Sequence, residues 1–353
     1  MKFVLSWFIC FACISAIAQE QVHPSLSFRG YGETYYSYDF SEPANHEKPA
    51  FLYNHKRHNE LNFNLILAQA NLSHESYRAQ LGIMAGNYAQ YNLSAEPNWA
   101  QLIYEANIGV KLSRQHALWL DAGVMPSHIG FESAIGADCW TLSRGIYAEN
   151  SPYYEAGARL SYTSKNEKLL LAGYYLNGWQ RIQKPNGIQK PSFGMQLNYK
   201  PSQSVILNYS NFVGTDKPDS LSALRIFHNV YMQFEPSEKW GIIAGFDWGT
   251  EKMGASSFQH WYTPVIIIRK AWGDHVKTAL RGEYYSDKNQ IIISTGTTHG
   301  FQTLGISANI DYDVNEKVKL RLEGKWYSSQ DAIFDEGTQR QNTSMTTSLC
   351  IRL

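Results

Sequence analysis

The chain has 353 residues, 44% of them hydrophobic and 14% aromatic, with 31 basic and 31 acidic side chains. A charge balance near zero excludes nucleic acid or an anionic membrane surface as its main partner. A mean hydropathy of −0.36, with no run of eighteen apolar residues, excludes a bundle of transmembrane helices.

The chain opens MKFVLSWFICFACISAIA, with one basic residue (Lys2), an apolar run from Phe3 to Ile14 and a small-x-small pattern at Ala16-Ile17-Ala18. This is a secretory signal over 1–18, cleaved before Gln19, and residues 19–353 are read as one mature domain. Cleavage removes Cys10, Cys13 and Lys2, leaving 30 basic against 31 acidic side chains and two cysteines, Cys139 and Cys350. That pair has no metal-ligand spacing, and the sequence leaves open whether the two are bonded.

From there the recurring signal is period two. In ELNFNLILAQA the alternation puts Leu61, Phe63, Leu65 and Leu67 on one face, opposite Glu60, Asn62 and Asn64. In KVKLRLEGKWY, Val318, Leu320, Leu322 and Trp326 oppose Lys317, Lys319, Arg321, Glu323 and Lys325. Charges at that density cannot all face a dry core, so one face of the sheet is wet. The same reading predicts strands over 26–39, 59–70, 76–90, 101–112, 117–125, 153–163, 168–181, 191–200, 204–213, 224–235, 239–251, 258–270, 275–286, 300–313, 316–328 and 341–353. Each of these spans is long enough for the 9–11 residues a tilted membrane strand needs.

Connection lengths alternate. Short turns such as NLSHE, SRQH, SKNE, KPSQ, EPSE, AWGD and DVNE are rich in residues that favour tight reversals. Long segments lie between them. Short turns on one side and long loops on the other predict an all-β fold: a transmembrane antiparallel β-barrel of about sixteen strands (14–18), its short turns in the periplasm. Tyr77, Tyr162, Tyr199, Phe234, Trp240 and Tyr312 sit beside the short turns on the apolar parity, as an interfacial aromatic girdle would. The last strand is expected to pair with the first, and the chain ends on Leu353 where barrels commonly present an aromatic residue to the insertion machinery.

The segments LWLDAGVMPSHIGFESAIGADCWTLSRGIYAENSPYYEAGARL, LNGWQRI, RHNELNFNL and YEANIGVKL resemble the β-barrel porin-2, or OmpL-like, family. The similarity runs through most of the mature chain and is densest over 57–182. It implies an outer-membrane location and a pore role, and it carries over no catalytic residue.

The stretch 125–152 does not alternate and is the third and longest of the long connections. In general diffusion porins the third outer loop folds into the lumen, and this placement resembles that. A sixteen-stranded lumen is too wide to select unaided, so the stretch is expected to constrict it, with His128, Glu132, Asp138, Arg144 and Glu149 as the charged residues of the constriction. Lumen-facing parity assigns Glu33, Glu105, Asp121 and Glu155 to early wall positions, mixed with Arg29, Lys111 and Arg159. It assigns Arg225, Lys277, Arg281, Lys319, Arg321 and Lys325 to later ones. The expectation is a transverse field with a basic later wall, set against plain hydration of the lumen by the same charges.

The predicted activity is passive diffusion of small hydrophilic solutes, with no catalytic residue, cofactor or metal. The expected partners are outer-membrane lipid, those solutes, the insertion machinery during biogenesis and further copies of the chain. Two other classes stand beside it. A barrel enzyme acting on lipid or ester would draw on Ser143, His128, Cys139 and Asp138, yet no Gly-x-Ser-x-Gly elbow or helical metal-ligand spacing is present. An exported surface-binding β protein would extract without detergent.

Overall fold

The computed structural model describes residues 23–353, so the signal assigned to 1–18 lies outside the described residues. Among these, sixteen strands follow in chain order: β1 (Ser25–Asp39), β2 (Leu61–Ser73), β3 (Tyr77–Ala85), β4 (Ile103–Lys111), β5 (Ala117–Pro126), β6 (Tyr154–Thr163), β7 (Leu169–Leu176), β8 (Ser192–Ser202), β9 (Val205–Gly214), β10 (Leu224–Ser237), β11 (Trp240–Lys252), β12 (Gln259–Ala271), β13 (Val276–Asp287), β14 (Phe301–Asp313), β15 (Val318–Ser329) and β16 (Gln341–Arg352). Each pairs antiparallel with the next, and β1 pairs with β16, so the sheet closes on itself. Closure leaves no strand edge unpaired, which is the condition for crossing lipid. The seam extends to the last residue, where Leu353 N donates to Gly30 O at 2.9 Å.

The sixteen-stranded barrel with its short-turn and long-loop ends is as the alternation predicted. On β12, Tyr262, Pro264, Ile266 and Ile268 point outward while Trp261, Thr263, Val265 and Ile267 are buried inside. Tyr77, Tyr199, Trp240 and Tyr312 are exposed on the outer face at the short-turn end, and Tyr162 and Phe234 are half-buried there. A second outer group, Tyr209, His228, Trp248 and His260, stacks ring on ring across β9 to β12 near the long-loop end. An arginine on this outer face meets hydrocarbon: Leu280→Arg is expected to cost about 2–4 kcal/mol. Unfolding titration in detergent or lipid checks this.

Two strands are shorter than predicted. The span read as 76–90 ends at Ala85, because Gly86 at φ +115° turns the chain and Tyr88–Asn92 form a π-helical turn. The span read as 168–181 ends at Leu176; beyond it Gly178 and Gln180 both take positive φ.

The alternation of β2 also differs. Glu33 pairs with Leu65 but Thr34 pairs with Phe63, so Asn64 is one residue too many, a bulge. Its side chain turns inward, donating to Glu33 Oε2 at 3.1 Å and accepting from His55 N at 2.9 Å. Parity inverts there. Leu61, Phe63 and Ile66 face lipid, while Leu65 and Leu67, assigned to lipid by the alternation, are 0% and 3% exposed inside the barrel.

Those leucines belong to an apolar cluster with Tyr31, Met84, Tyr88, Ala134 and Tyr147. A second cluster lies toward the long loops, where wall residues Phe212, Phe227, Trp261, Tyr285, Phe301 and Tyr327 meet Phe51, Trp179, Ile293 and Phe334 from the connections. The lumen is therefore partly filled by its own loops.

Candidate functional site

Residues 127–153 join β5 to β6 and lie inside the barrel. A chain crossing a lumen has no strand ladder for its N–H and C=O groups, so the wall must supply partners. Wall acceptors meet the N–H groups: Glu323 takes Ser143 N at 2.5 Å, Glu283 takes Ile146 N at 2.6 Å, Asn309 takes Leu142 N at 3.1 Å and Asn229 takes Gly130 N at 3.2 Å. Wall cations meet the carbonyls. Arg281 Nη1 donates to Ser143 O at 2.8 Å, Arg321 to Gly136 O at 2.7 Å and Cys139 O at 3.0 Å, and Lys325 Nζ to Arg144 O at 2.7 Å.

The same side chains neutralise one another. Arg281 lies 3.1 Å from Glu323 and 3.3 Å from Glu132, and Arg321 lies 2.8 Å from Asp311. Because these ions are buried, each needs both a counter-charge and filled hydrogen-bond positions. The wall of β13 to β15 thus forms a cradle of both signs rather than a basic surface.

Within the segment, Arg144 is wholly buried and donates to the carbonyls of Ser133, Leu142 and Ala134 at 2.7, 2.9 and 3.0 Å. Glu132 accepts from Gly145 N at 2.7 Å. The short helix α1 (Ile146–Glu149) ends on Glu149, which accepts from Tyr53 N at 3.0 Å, Asn54 N at 3.2 Å and Asn54 Nδ2 at 3.1 Å. Burial pushes the Glu149 carboxyl up, and the bonds from Asn54 and Tyr53 oppose that shift. Glu149→Ala would leave those donors unpaired, at about 1–3 kcal/mol each. The expected result is faster protease cleavage around 50–56 in the folded barrel, with cleavage unchanged at 330–340.

At the start of the segment His128 sits between Glu155 Oε2 at 2.7 Å and the carbonyl of Asn211 at 2.8 Å, its ring stacked on Tyr174 with centroids 4.1 Å apart. Burial lowers the imidazole pKa, but the Glu155 carboxylate outweighs it and the net shift is upward. Two acceptors on one ring favour the imidazolium.

The predicted constriction residues are therefore placed otherwise than expected. His128, Glu132, Arg144 and Glu149 are buried and hold the segment together or tie it to the wall. Asp138 alone of the five is exposed, 2.6 Å from Arg352 Nη2. The reason is the backbone: a crossing strand of irregular chain consumes nearby charges before any are left to wet a passage.

The wall positions all point inward. Glu33 accepts from His55 and Asn64, both at 3.1 Å, and Glu105 accepts from Gln69 at 2.5 Å. Asp121 meets Arg78 and Arg159, and Glu155 meets His128. Arg225 is 2.7 Å from Glu251, its guanidinium 5.1 Å from the Trp179 ring. Arg281, Arg321 and Lys325 are the cradle. Lys277 and Lys319 share Asp313 at 2.8 and 3.7 Å and remain partly wet.

Sequence reading missed Asn229, Asn309 and Asn54, polar residues with no motif around them. It also missed Glu96, which takes Tyr154 Oη at 3.0 Å and the Ile182 and Gln183 amides at 2.8 and 3.1 Å, clasping two long loops together. Ser143 Oγ accepts from Arg281 and Lys325 at 3.2 and 3.3 Å, and His128 is engaged elsewhere. Cys139 and Cys350 are free and buried, with burial pushing the Cys139 thiol up.

Water-sized space remains on both sides of the segment. A cavity of about 250 Å³ at the long-loop end is lined by Tyr91, Asn92, Gln180, Arg181 and Asp216, and one of about 660 Å³ at the short-turn end by Ala137, Lys277, Asp313, Lys319 and Arg352. On the wall of β2 to β8, Gln69, Arg78, Arg159, Gln196 and Asn198 stay half-exposed.

Residues 25–353 match the family model described as "Putative beta-barrel porin-2, OmpL-like". Among solved structures the fold is similar to the anion-selective porin from Comamonas acidovorans, with TM-score 0.61, 8% identity and coverage of 94% of this chain and 100% of that one. It is also similar to the outer membrane channel DcaP of Acinetobacter baumannii, with TM-score 0.60, 8% identity and coverage of 94% and 97%. A third is OmpT, an outer membrane protein of Vibrio cholerae, in its trimer form, with TM-score 0.60, 8% identity and coverage of 94% and 99%. No curated protein matches the chain by sequence.

Proposed function

This chain belongs to the OmpL-like β-barrel porin-2 family, and on that premise we propose that small hydrophilic solutes diffuse through it past the lumen segment 125–152, along the half-exposed polar side chains of β2 to β8. It is an outer-membrane β-barrel porin. The observation that carries the passage is the asymmetry of the wall: β13 to β15 are sealed against the segment by buried ion pairs, while polar side chains of β2 to β8 stay half-exposed. The segment's charges serve to hold a narrowing in place, and the narrowing selects by width.

No chemical step enters this reading. Ser143 as a nucleophile would need an adjacent base, and its hydroxyl accepts from two cations instead. Several copies are proposed to associate through the outer face of β2 to β5, where Ala70, Ala79, Ala106 and Ala122 leave a shallow apolar groove that a partner can enter closely. The trimer form of the Vibrio cholerae protein is consistent with this.

Planar-bilayer recording tests the reading. Purified protein is expected to insert in discrete conductance steps, and liposomes carrying it to swell in small sugars faster than in large ones. Preparations with heat-modifiable migration but no conductance steps and no swelling would overturn it.

A further inference from the structure

Beneath the lumen segment, one row of residues faces across four strands: Arg78 on β3, Gly109 on β4, Asp121 on β5 and Arg159 on β6. Gly109 lets the row close. A Cβ there would lie 2.2 Å from Asp121 Oδ1 and 3.1 Å from Arg78 Cγ, so only bare backbone lets carboxylate and guanidinium meet over β4. Arg78 Nε and Nη2 each reach Asp121 at 2.7 Å, one oxygen apiece; Arg159 Nε and Nη2 reach Oδ2 at 3.2 and 3.0 Å. The Arg78 guanidinium lies 4.3 Å from the Trp119 ring centroid, which fixes its plane.

Exposure in this row is lopsided. The Asp121 side chain is 0% exposed, whereas those of Arg78 and Arg159 are 31% and 27% exposed to the lumen. Two cations share one carboxylate, and the carboxylate sits behind them. Around the row the pattern repeats: Glu105 and Glu155 are buried, while Arg29 is exposed and Lys111 half-exposed. A solute in the lumen therefore meets guanidinium edges, although the whole chain is formally neutral.

We infer that the Arg78–Asp121–Arg159 row is a binding site for small oxyanions, carboxylate- or phosphate-bearing, and that it gives the channel a preference for anions. With the Nε and Nη2 edges turned to Asp121, each guanidinium keeps its Nη1 side, where Nη1 and the second Nη2 hydrogen form a further planar fork that matches two oxygens of such a group. A narrow lumen with low-dielectric walls focuses the field of the exposed charges on whatever passes. Asp121 holds both guanidiniums in place and halves their net charge, so an anion is attracted and released rather than trapped. The inference rests on the porin reading for the passage that leads to the row.

Reversal potentials across a KCl gradient test it. The unaltered channel is expected to pass chloride more readily than potassium, and Arg78→Gln with Arg159→Gln to lower the chloride-to-potassium ratio by about threefold or more. Asp121→Asn uncovers charge and is expected to raise the ratio. Succinate and phosphate, each added from the short-turn side, are expected to block the unaltered channel briefly and the double glutamine variant far less; block by one alone identifies which oxyanion the site takes. If a variant fails to fold, the unaltered channel still decides. Equal permeability or a preference for potassium, with no block by either oxyanion, overturns the site while leaving the porin reading intact; absence of any conductance overturns the porin reading instead.

Discussion

Replacing Arg281 and Arg321 together by glutamine is expected to raise single-channel conductance severalfold, to make the open current noisy and to leave ion preference nearly unchanged. These two side chains supply the lumen segment with bonds to Ser143 O, Gly136 O and Cys139 O, and they neutralise Glu132, Glu323 and Asp311. Removing one partner of a buried pair leaves its counter-ion uncompensated, at about 3–5 kcal/mol each. The carboxylates would recover water most readily by letting the segment leave the wall, and the passage would widen. A second variant separates this from general damage. Arg281→Gln combined with Glu323→Gln and Glu132→Gln removes the cation together with the two carboxylates it neutralises and is expected to restore part of the narrow conductance. If the two arginines instead set a field across an open passage, the substitution would change ion preference at constant conductance.

Trp261→Ala is expected to destabilise the barrel by about 3–5 kcal/mol, seen as a lower temperature for conversion of the compact gel band to the unfolded one. Trp261 is wholly buried on the inner face of β12, between Phe227 and the Arg225 guanidinium, in the apolar cluster that gathers five connections, the lumen segment among them. Ile266 on the outer face of the same strand is the control, because lipid fills the space left by Ile266→Ala. Equal losses at both positions would mean that the inner cluster is not a packed core.

Much of this barrel was legible from residue order alone. Lys319, Arg321, Glu323 and Lys325 opposite Leu320 and Leu322 dictate a strand with one wet and one lipid face, and the structure agrees on every one of them. Turn chemistry placed the hairpins to within a few residues except where Gly86 and Gly178 end their strands early. The inversion at Asn64 was not legible. Both parities there are apolar beyond the bulge, so nothing local says which leucines face lipid.

The identity of the fold follows from a repeat of two residues, a local property that any short window of the chain reveals. Which inward charges meet solvent is a different kind of fact. Arg281 and Asp121 read alike as lumen-wall residues, yet one is sealed under a segment 138 positions away in the chain and the other under two arginines 43 and 38 positions away. Hydration of an ion depends on what lies over it in space, and contacts at those separations exist only once the wall has closed and its loops have folded in. The fate of each wall charge was therefore settled by packing rather than by alternation.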